Sequence, residues 1–167
     1  PMTLGQEFKA YGHMIEESVK DLDNAIINKL SILNLGGTAI GTGITADPGY
    51  RNLVIIYLRE LTGINEIKIA DDLIQATQDT SHFVSYSSVL KNLSLKLSKI
   101  ANDLRLLSSG PRAGLNEINL PARQPGSTIM PGKVNPVIPE VVNQVAFQVI
   151  GNDITVNMAS EAGQLEL

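Results

Sequence analysis

The chain contains no cysteine and no tryptophan, and aromatic residues make up only 4% of its 167 positions. Without cysteine, the chain can form no disulfide bond, offer no thiolate ligand to a metal and use no thiol nucleophile. Because large rings are scarce, aliphatic side chains must fill the core, and hydrophobic residues supply 43% of the sequence. A hydrophobic fraction of 43% is enough for the core of one ordinary domain. A core filled by aliphatic side chains favours helices packed on helices over an aromatic-rich sandwich.

Clustered basic residues and long apolar runs are also missing. The formal net charge is −4, and nucleic-acid binding depends on grouped Lys and Arg that neutralise phosphates. We therefore expect no nucleic-acid partner. No apolar run approaches the roughly 20 residues that cross a bilayer, so we expect no membrane association. These features are compatible with a cytoplasmic location.

The spacing of apolar residues predicts three long helices. The first covers about thirty residues and ends at Gly36-Gly37; its apolar positions recur about every 3.6 residues, at Leu4, Phe8, Tyr11, Ile15, Val19, Leu22, Ile26, Leu30 and Leu33. The second ends at Gly110-Pro111 and carries a heptad-like seam, formed by Tyr86, Leu90, Leu93, Leu97, Ile100, Leu104 and Leu107. Shorter helices are predicted at residues 50–61, closed by Gly63, and at about residues 71–75.

The third long helix opens at Pro136 and mixes valines with amide side chains and few charges. Buried amides need hydrogen-bond partners, so we expect this helix to pack through amide networks and the chain to form homo-oligomers. No strand pattern is present. The sequence therefore predicts an all-α fold of long antiparallel helices in a bundle, with residues 1–167 as one central domain. Because the chain starts at Pro1 and stops within a helical stretch, we expect a piece of a larger protein, truncated at both ends.

Residues 112–135 are rich in Gly, Pro, Asn and Ser and have no sustained period. We expect a loop there, with one short helical turn at about residues 115–118. A segment of this length is too long for a mere connector and is a candidate for function.

Within this segment, residues 126–136 (the 126–136 loop) hold a hydroxyl pair, a cation and an amide: Ser127, Thr128, Lys133 and Asn135. Backbone N–H groups near Gly126 and Gly132 would suit an anion-binding nest. A carboxylate held there would be stabilised further as negative charge develops on it during a reaction. Spacing alone leaves two interpretations open, a carboxylate site and an ordinary Pro-Gly surface loop with a solvated lysine.

Three other motifs carry less weight. Residues 36–43 are Gly- and Thr-rich but lack the spacing of phosphate-binding loops, and close backbone packing or a polar pocket wall is the better interpretation. His13 and His82 are interpreted as structural. Ser88 and Lys91 match Ser-x-x-Lys, but this motif lies in mid-helix without its companions.

The eleven residues Gly126-Ser127-Thr128-Ile129-Met130-Pro131-Gly132-Lys133-Val134-Asn135-Pro136 resemble the signature of the aspartase/fumarase superfamily. Thr128 stands where the usual form has a second serine, so the hydroxyl is kept. Residues 36–43, 99–105, 109–112 and 149–153 also look like sequence of this family, and the similarity covers the whole chain. Residues 120–125 and 159–167 resemble aspartases more than fumarases.

The resemblance implies reversible elimination of ammonia from L-aspartate to give fumarate, through an aci-carboxylate intermediate and without a cofactor or metal. Ser127 matches the catalytic base, and Glu140 matches a glutamate that pairs with an active-site histidine. Lys133 and Asn135 match residues that hold the substrate carboxylate, and Thr128 would add a hydroxyl. Backbone groups at Gly126, Ile129 and Met130 complete the expected site.

The histidine belongs, by the same resemblance, to a Thr-His-x-Gln-Asp-Ala segment just before the residues that match the start of this chain. We therefore expect the chain to carry part of a site and to be inactive alone. The family arrangement also implies a homotetramer in which each site draws on three chains. Two alternatives stay open: a class II fumarase, with water as the leaving group, and a non-catalytic helical assembly module.

Overall fold

A computed structural model describes residues 1–166 of the chain. Five α-helices dominate it, and the predicted all-α class is confirmed. Their bounds are α1 Leu4–Ala25, α2 Tyr50–Thr62, α3 Leu73–Gln78, α4 Ser81–Leu107 and α5 Val137–Glu161. The predicted short helices are therefore present, and the last helix begins one residue after Pro136.

The end of the first helix differs from the prediction. Helix α1 passes into a π-helical turn, Ile26–Leu30, which stops at Ser31 rather than at the glycines. The Ser31 hydroxyl and backbone N–H both bond to the Ile26 carbonyl. A polar residue that satisfies the last free carbonyls ends the helix early, and the apolar spacing could not indicate this.

Two short strands contradict the expectation of no strand. Strand β1, Ile32–Leu33, pairs in parallel with β2, Lys68–Ile69. The Lys68 N–H donates to the Ser31 carbonyl and the Ala70 N–H donates to the Leu33 carbonyl, both over 2.9 Å. Strands of two residues are too short to show alternation, which is why the pattern missed them.

The chain divides into two compact units, and each long helix contributes to both. The first unit contains residues 1–18 and 91–152, and the second contains residues 19–90 and 153–166. In the first unit, two hydrogen bonds show that α1 and α4 run antiparallel: Tyr11 bonds to Asp103, and Lys96 bonds to the carbonyl of Met14. Position numbers rise along one helix as they fall along the other.

A buried amide joins α4 and α5 within the first unit. Asn143 is 5% exposed. Its Nδ2 donates to the Ser98 hydroxyl over 2.8 Å and to the Ser98 carbonyl over 3.1 Å. Its Oδ1 accepts from Arg105 Nη1 over 3.1 Å. The expected amide network on the last helix is therefore present.

In the second unit the Gly-rich stretch packs closely, as the sequence predicted. Arg51 Nε donates to the Gly36 carbonyl and Nη2 donates to the Thr42 carbonyl, both over 3.2 Å. Gly41 has φ +97°, and a Cβ there would meet the backbone of Leu73 at 2.5 Å. Only glycine combines that conformation with that approach.

Large apolar side chains stay largely accessible in the described residues, and none of them is fully buried. On α5 the exposed fraction reaches 66% at Phe147 and 60% at Ile154. In the heptad-like seam of α4, Leu90 and Leu97 are also exposed. No helix in residues 1–166 is both long and apolar enough to cross a membrane.

Candidate active site

The segment between α4 and α5 is irregular throughout and begins with a folded-back turn. The Glu117 N–H donates to the Leu107 carbonyl over 2.9 Å, and the Asn116 N–H donates to the Ser109 carbonyl over 2.7 Å. Asn116 has φ +49°, in the left-handed region. The helical turn expected at residues 115–118 is therefore wrong, because these N–H groups bond back to the end of α4 instead of closing a local turn.

Two successive turns shape the 126–136 loop. The Met130 N–H donates to the Ser127 carbonyl over 3.2 Å, and the Lys133 N–H donates to the Met130 carbonyl over 3.1 Å. Gly132 has φ +77°, which favours glycine between these turns. A Cβ at Gly126 would overlap the Lys133 carbonyl. The loop therefore closes on itself, with its start pressed against Lys133.

The polar side chains of this loop are available to a ligand. Ser127, Thr128 and Lys133 are exposed, and none of their side chains makes a hydrogen bond or ion pair to residues 1–166. The backbone N–H groups of Ser127 and Thr128 likewise bond to nothing in this part of the chain. Exposed donors that the fold does not use remain free for an anion.

These three residues line one hollow of about 570 Å³, together with Gly126 and Met130. Several neighbours that were not proposed as site residues also line it, namely Ala122, Arg123, Gln124, Pro125, Pro131, Gly132 and Val134. The charged members of that lining are Arg123 and Lys133, and both are cations. The hollow therefore suits an anionic ligand.

The remaining expected site residues lie elsewhere. Ile129 and Asn135 do not line this hollow, and Ile129 is 84% exposed. Glu140 is half-buried in the first turn of α5 and lines a second hollow of about 560 Å³ with Arg105. Gly132 and Val134 line both hollows. The structure thus places the hydroxyls and the lysine around one hollow and Glu140 at the second.

Sequence reasoning did not propose Arg123 as a site residue. Residues 120–125 stand out in the sequence only for their resemblance to aspartases. The signal that could have found Arg123 is its place three residues before Gly126, on the same irregular segment.

Neither histidine is gathered into a metal site. His13 Nδ1 lies 3.3 Å from Glu16 Oε2 on an exposed part of α1. Within residues 1–166, no group of three or more His, Asp or Glu side chains is arranged to hold a metal ion.

Comparison with known proteins identifies the class. A family model described as a lyase matches residues 1–151, and the chain belongs to that lyase family. The resemblance to the aspartase/fumarase superfamily is thereby confirmed.

Three curated relatives are aspartate ammonia-lyases that align with all 167 residues. The identity is 60% for Pseudomonas aeruginosa, 62% for Corynebacterium glutamicum and 58% for Escherichia coli. The chain covers 35%, 31% and 34% of these proteins, respectively. It therefore spans about a third of the length of the relatives that it matches.

Solved structures share the fold. A fumarate lyase:delta crystallin from Brucella melitensis, bound to cobalt, is 57% identical with a TM-score of 0.93. A class II fumarase from Schistosoma mansoni is 35% identical with a TM-score of 0.94. Both alignments cover all of this chain, and they cover 36% and 38% of those chains.

Proposed function

We propose that the whole protein is an aspartate ammonia-lyase, which interconverts L-aspartate with fumarate and ammonia. The observation that carries this proposal is the hollow at the 126–136 loop, whose charged lining residues, Arg123 and Lys133, are both cations. A dicarboxylate is the kind of ligand that such a lining attracts. The relatives of 58–62% identity support aspartate over malate as the substrate.

In the proposed reaction, Ser127 accepts the proton from C3 of aspartate. The electron pair of the C3–H bond enters the adjacent carboxylate and forms an aci-carboxylate with two negative charges. The pair then returns to form the C2–C3 double bond as the C2–N bond breaks, and nitrogen leaves with the electron pair of that bond as ammonia. Atoms and charge balance without a redox partner.

Stabilising the doubly negative intermediate is the main difficulty, and the loop offers suitable groups. We propose that Lys133 and Asn135 hold the carboxylate, that Thr128 donates its hydroxyl, and that free N–H groups near Gly126 and Ser127 complete the cradle. A cation that gains attraction as the second charge forms lowers the barrier to the reaction and not only the energy of substrate binding. The same positive charge favours the alkoxide form of Ser127.

Asn135 and Ile129 need a change of position or a ligand that extends past the hollow, because neither lines it. Glu140 lines the neighbouring hollow, so we propose that it acts through an imidazole, as the resemblance implies, and not on the substrate itself. A group of that kind would orient the histidine and favour its charged form.

We also propose that this chain forms the central helical domain of the protein and assembles as a homotetramer in the cytoplasm, the setting that the resemblance implies. The exposed apolar residues of α5 support assembly, because apolar patches on monomeric proteins are usually small. They include Ile138, Val141, Val145, Phe147, Ile154 and Met158.

The test is to assay the whole protein for fumarate formation from L-aspartate and from L-malate. We expect activity with aspartate and none with malate; the reverse result would identify a class II fumarase. Ser127→Ala should lower kcat about 10²- to 10⁴-fold, the range for a general base. Ser88→Ala is the matched control, since this half-buried serine lies in mid-helix on α4. If Ser127→Ala keeps its activity, Ser127 is not the catalytic base.

A further inference from the structure

Arg123 is the second cation of the hollow, and no polar contact within residues 1–166 holds its side chain. Its side chain is exposed and makes no hydrogen bond or ion pair to residues 1–166. It lines the hollow together with Lys133, and no acidic side chain lines that hollow. Arg123 therefore adds a positive charge that no neighbour in the lining offsets.

This local charge opposes that of the chain as a whole. The formal net charge of this chain is −4, with 17 acidic and 13 basic residues. Glu140, an acid close to the 126–136 loop in sequence, lines the second hollow and not this one. With two cations and no carboxylate in its lining, this hollow is locally positive in a chain whose net charge is negative.

We propose that Arg123 is a specificity-determining residue that strengthens the binding of doubly charged over singly charged anions in this hollow. The proposal rests on the proposed function and deepens it. Arg123 acts through its charge on the bound ligand and does not contact the reacting atoms.

The charge of the ligand supplies a quantitative signature. At neutral pH fumarate carries two negative charges, whereas L-aspartate carries a net charge of one because its amine is protonated. The Coulomb energy is proportional to the charge of the ligand, so the fold-effect on a dianion is the square of the effect on a monoanion. For a cation about 10 Å away through water, these effects are about fourfold and about twofold.

The experiment measures KM and kcat in both directions for the whole protein and its Arg123→Gln variant at low salt. We expect KM to rise about fourfold for fumarate and about twofold for aspartate. We expect kcat to stay unchanged, because proton transfer from C3 to the Ser127 alkoxide leaves the total charge in the hollow constant, and a cation about 10 Å away responds only to that total. Arg123→Glu should square both factors, and Arg123→Lys should restore the original values. Salt at about 1 M should abolish the differences, because the Debye length falls to about 3 Å.

Arg112→Gln is the matched control. Arg112 is exposed on the same interhelical segment and lines neither hollow, so the same change of net charge should leave both KM values unaltered. If Arg123→Gln behaves like Arg112→Gln, changes both KM values equally, or lowers kcat, the inference is wrong. If the unsubstituted protein converts neither aspartate nor fumarate, the proposed function fails instead.

Discussion

Asn143 Oδ1 accepts a hydrogen bond from Arg105 Nη1 over 3.1 Å, and this contact joins the two helices that flank the 126–136 loop. Arg105 lies in the last turn of α4, and Asn143 lies one helical turn after Glu140 on α5. The same amide reaches back two turns along α4 to Ser98. Both ends of the long interhelical segment are therefore fixed by one buried side chain.

Replacing Asn143 with leucine should destabilise the whole protein by about 2–3 kcal/mol, because it leaves buried polar partners unsatisfied. Urea denaturation at pH 7 measures this change. Asn152→Leu is the control. Asn152 is exposed on the same helix, and its side chain accepts from Gln148 over 2.7 Å, so losing this bond should cost about 0.5 kcal/mol. Equal losses in the two variants would show that the link between α4 and α5 adds little.

The sequence indicated that α5 needed amide networks but not which amide would be buried. Asn143 and Gln144 are adjacent, yet only Asn143 faces α4 within the first unit and Gln144 is exposed. Apolar residues lie on most sides of α5 itself. Their periodicity therefore does not show which face packs in the core. The π-helical turn was not predictable for a different reason: it ends where Ser31 bonds to the Ile26 carbonyl, and no repeating pattern records such a bond. The strands have only two residues each and are too short to show alternation.

Tyr11 gives a prediction about alkaline pH. Its hydroxyl donates to Asp103 Oδ2 over 2.8 Å, and Lys99 pairs with the same carboxylate. Burial, followed by the hydrogen bond to Asp103, raises the pKa of Tyr11 well above its ordinary value of about 10. A raised folded-state pKa contributes stability that is complete below the unfolded value and is lost as pH rises through the folded value.

Tyr11→Phe should therefore lower the free energy of unfolding by about 1–2 kcal/mol from pH 7 to about pH 9.5. Above about pH 10 the difference from the unsubstituted protein should shrink, because the unfolded tyrosine then ionises. Urea denaturation at pH 8 and at pH 10.5 provides the two values. Tyr57→Phe, at a tyrosine 57% exposed, should show neither effect, and a difference that persists unchanged at pH 10.5 contradicts the assignment.

Asp79 gives a prediction at acidic pH. The backbone N–H of Ser81 donates to Asp79 Oδ1 over 2.9 Å at the start of α4. This bond, with help from the Ser81 hydroxyl and Gln75, lowers the pKa of Asp79. A lowered folded-state pKa contributes stability that is present above the unfolded value, about 3.9, and is lost as pH falls through the folded value.

Asparagine keeps an oxygen that can accept from the Ser81 N–H, so Asp79→Asn removes mainly the charge. It should cost at most about 1 kcal/mol near pH 7, the range for a negative charge at a helix N-terminus. The cost should stay constant down to about pH 4 and disappear below it, where the native carboxyl also becomes neutral. Thermal unfolding followed by circular dichroism across this range measures the difference. Asp71→Asn changes an exposed carboxylate that makes no hydrogen bond in the described chain, and it should alter stability little at any pH.

The candidate site was predictable only in part. The loop motif indicated Ser127, Thr128 and Lys133 together, and the structure places them around one hollow. It could not reveal that Glu140 would line a different hollow, because the motif carries no information on how the loop and the first turn of α5 are placed. The role of Arg123 was not predictable from the motif, because Arg123 lies outside it and contributes a charge at a distance.

Gly126→Ala tests whether the closure of the loop matters for catalysis. A Cβ at this position would overlap the Lys133 carbonyl, which is backbone and cannot rotate away as a side chain would. The loop must then shift, and a displacement of about 1 Å typically costs on the order of 100-fold in rate. We expect a loss of that order in kcat/KM with unchanged helical content by circular dichroism.

The comparison for this variant is Gly132→Asn. Gly132 has φ +77° and no atom within 4 Å of an added Cβ, and asparagine tolerates the left-handed conformation better than other residues do. Gly132→Asn should therefore retain most of the activity that Gly126→Ala loses. If both variants lose activity equally, general sensitivity of the loop explains the result, and the contact between Gly126 and Lys133 has no special part in it.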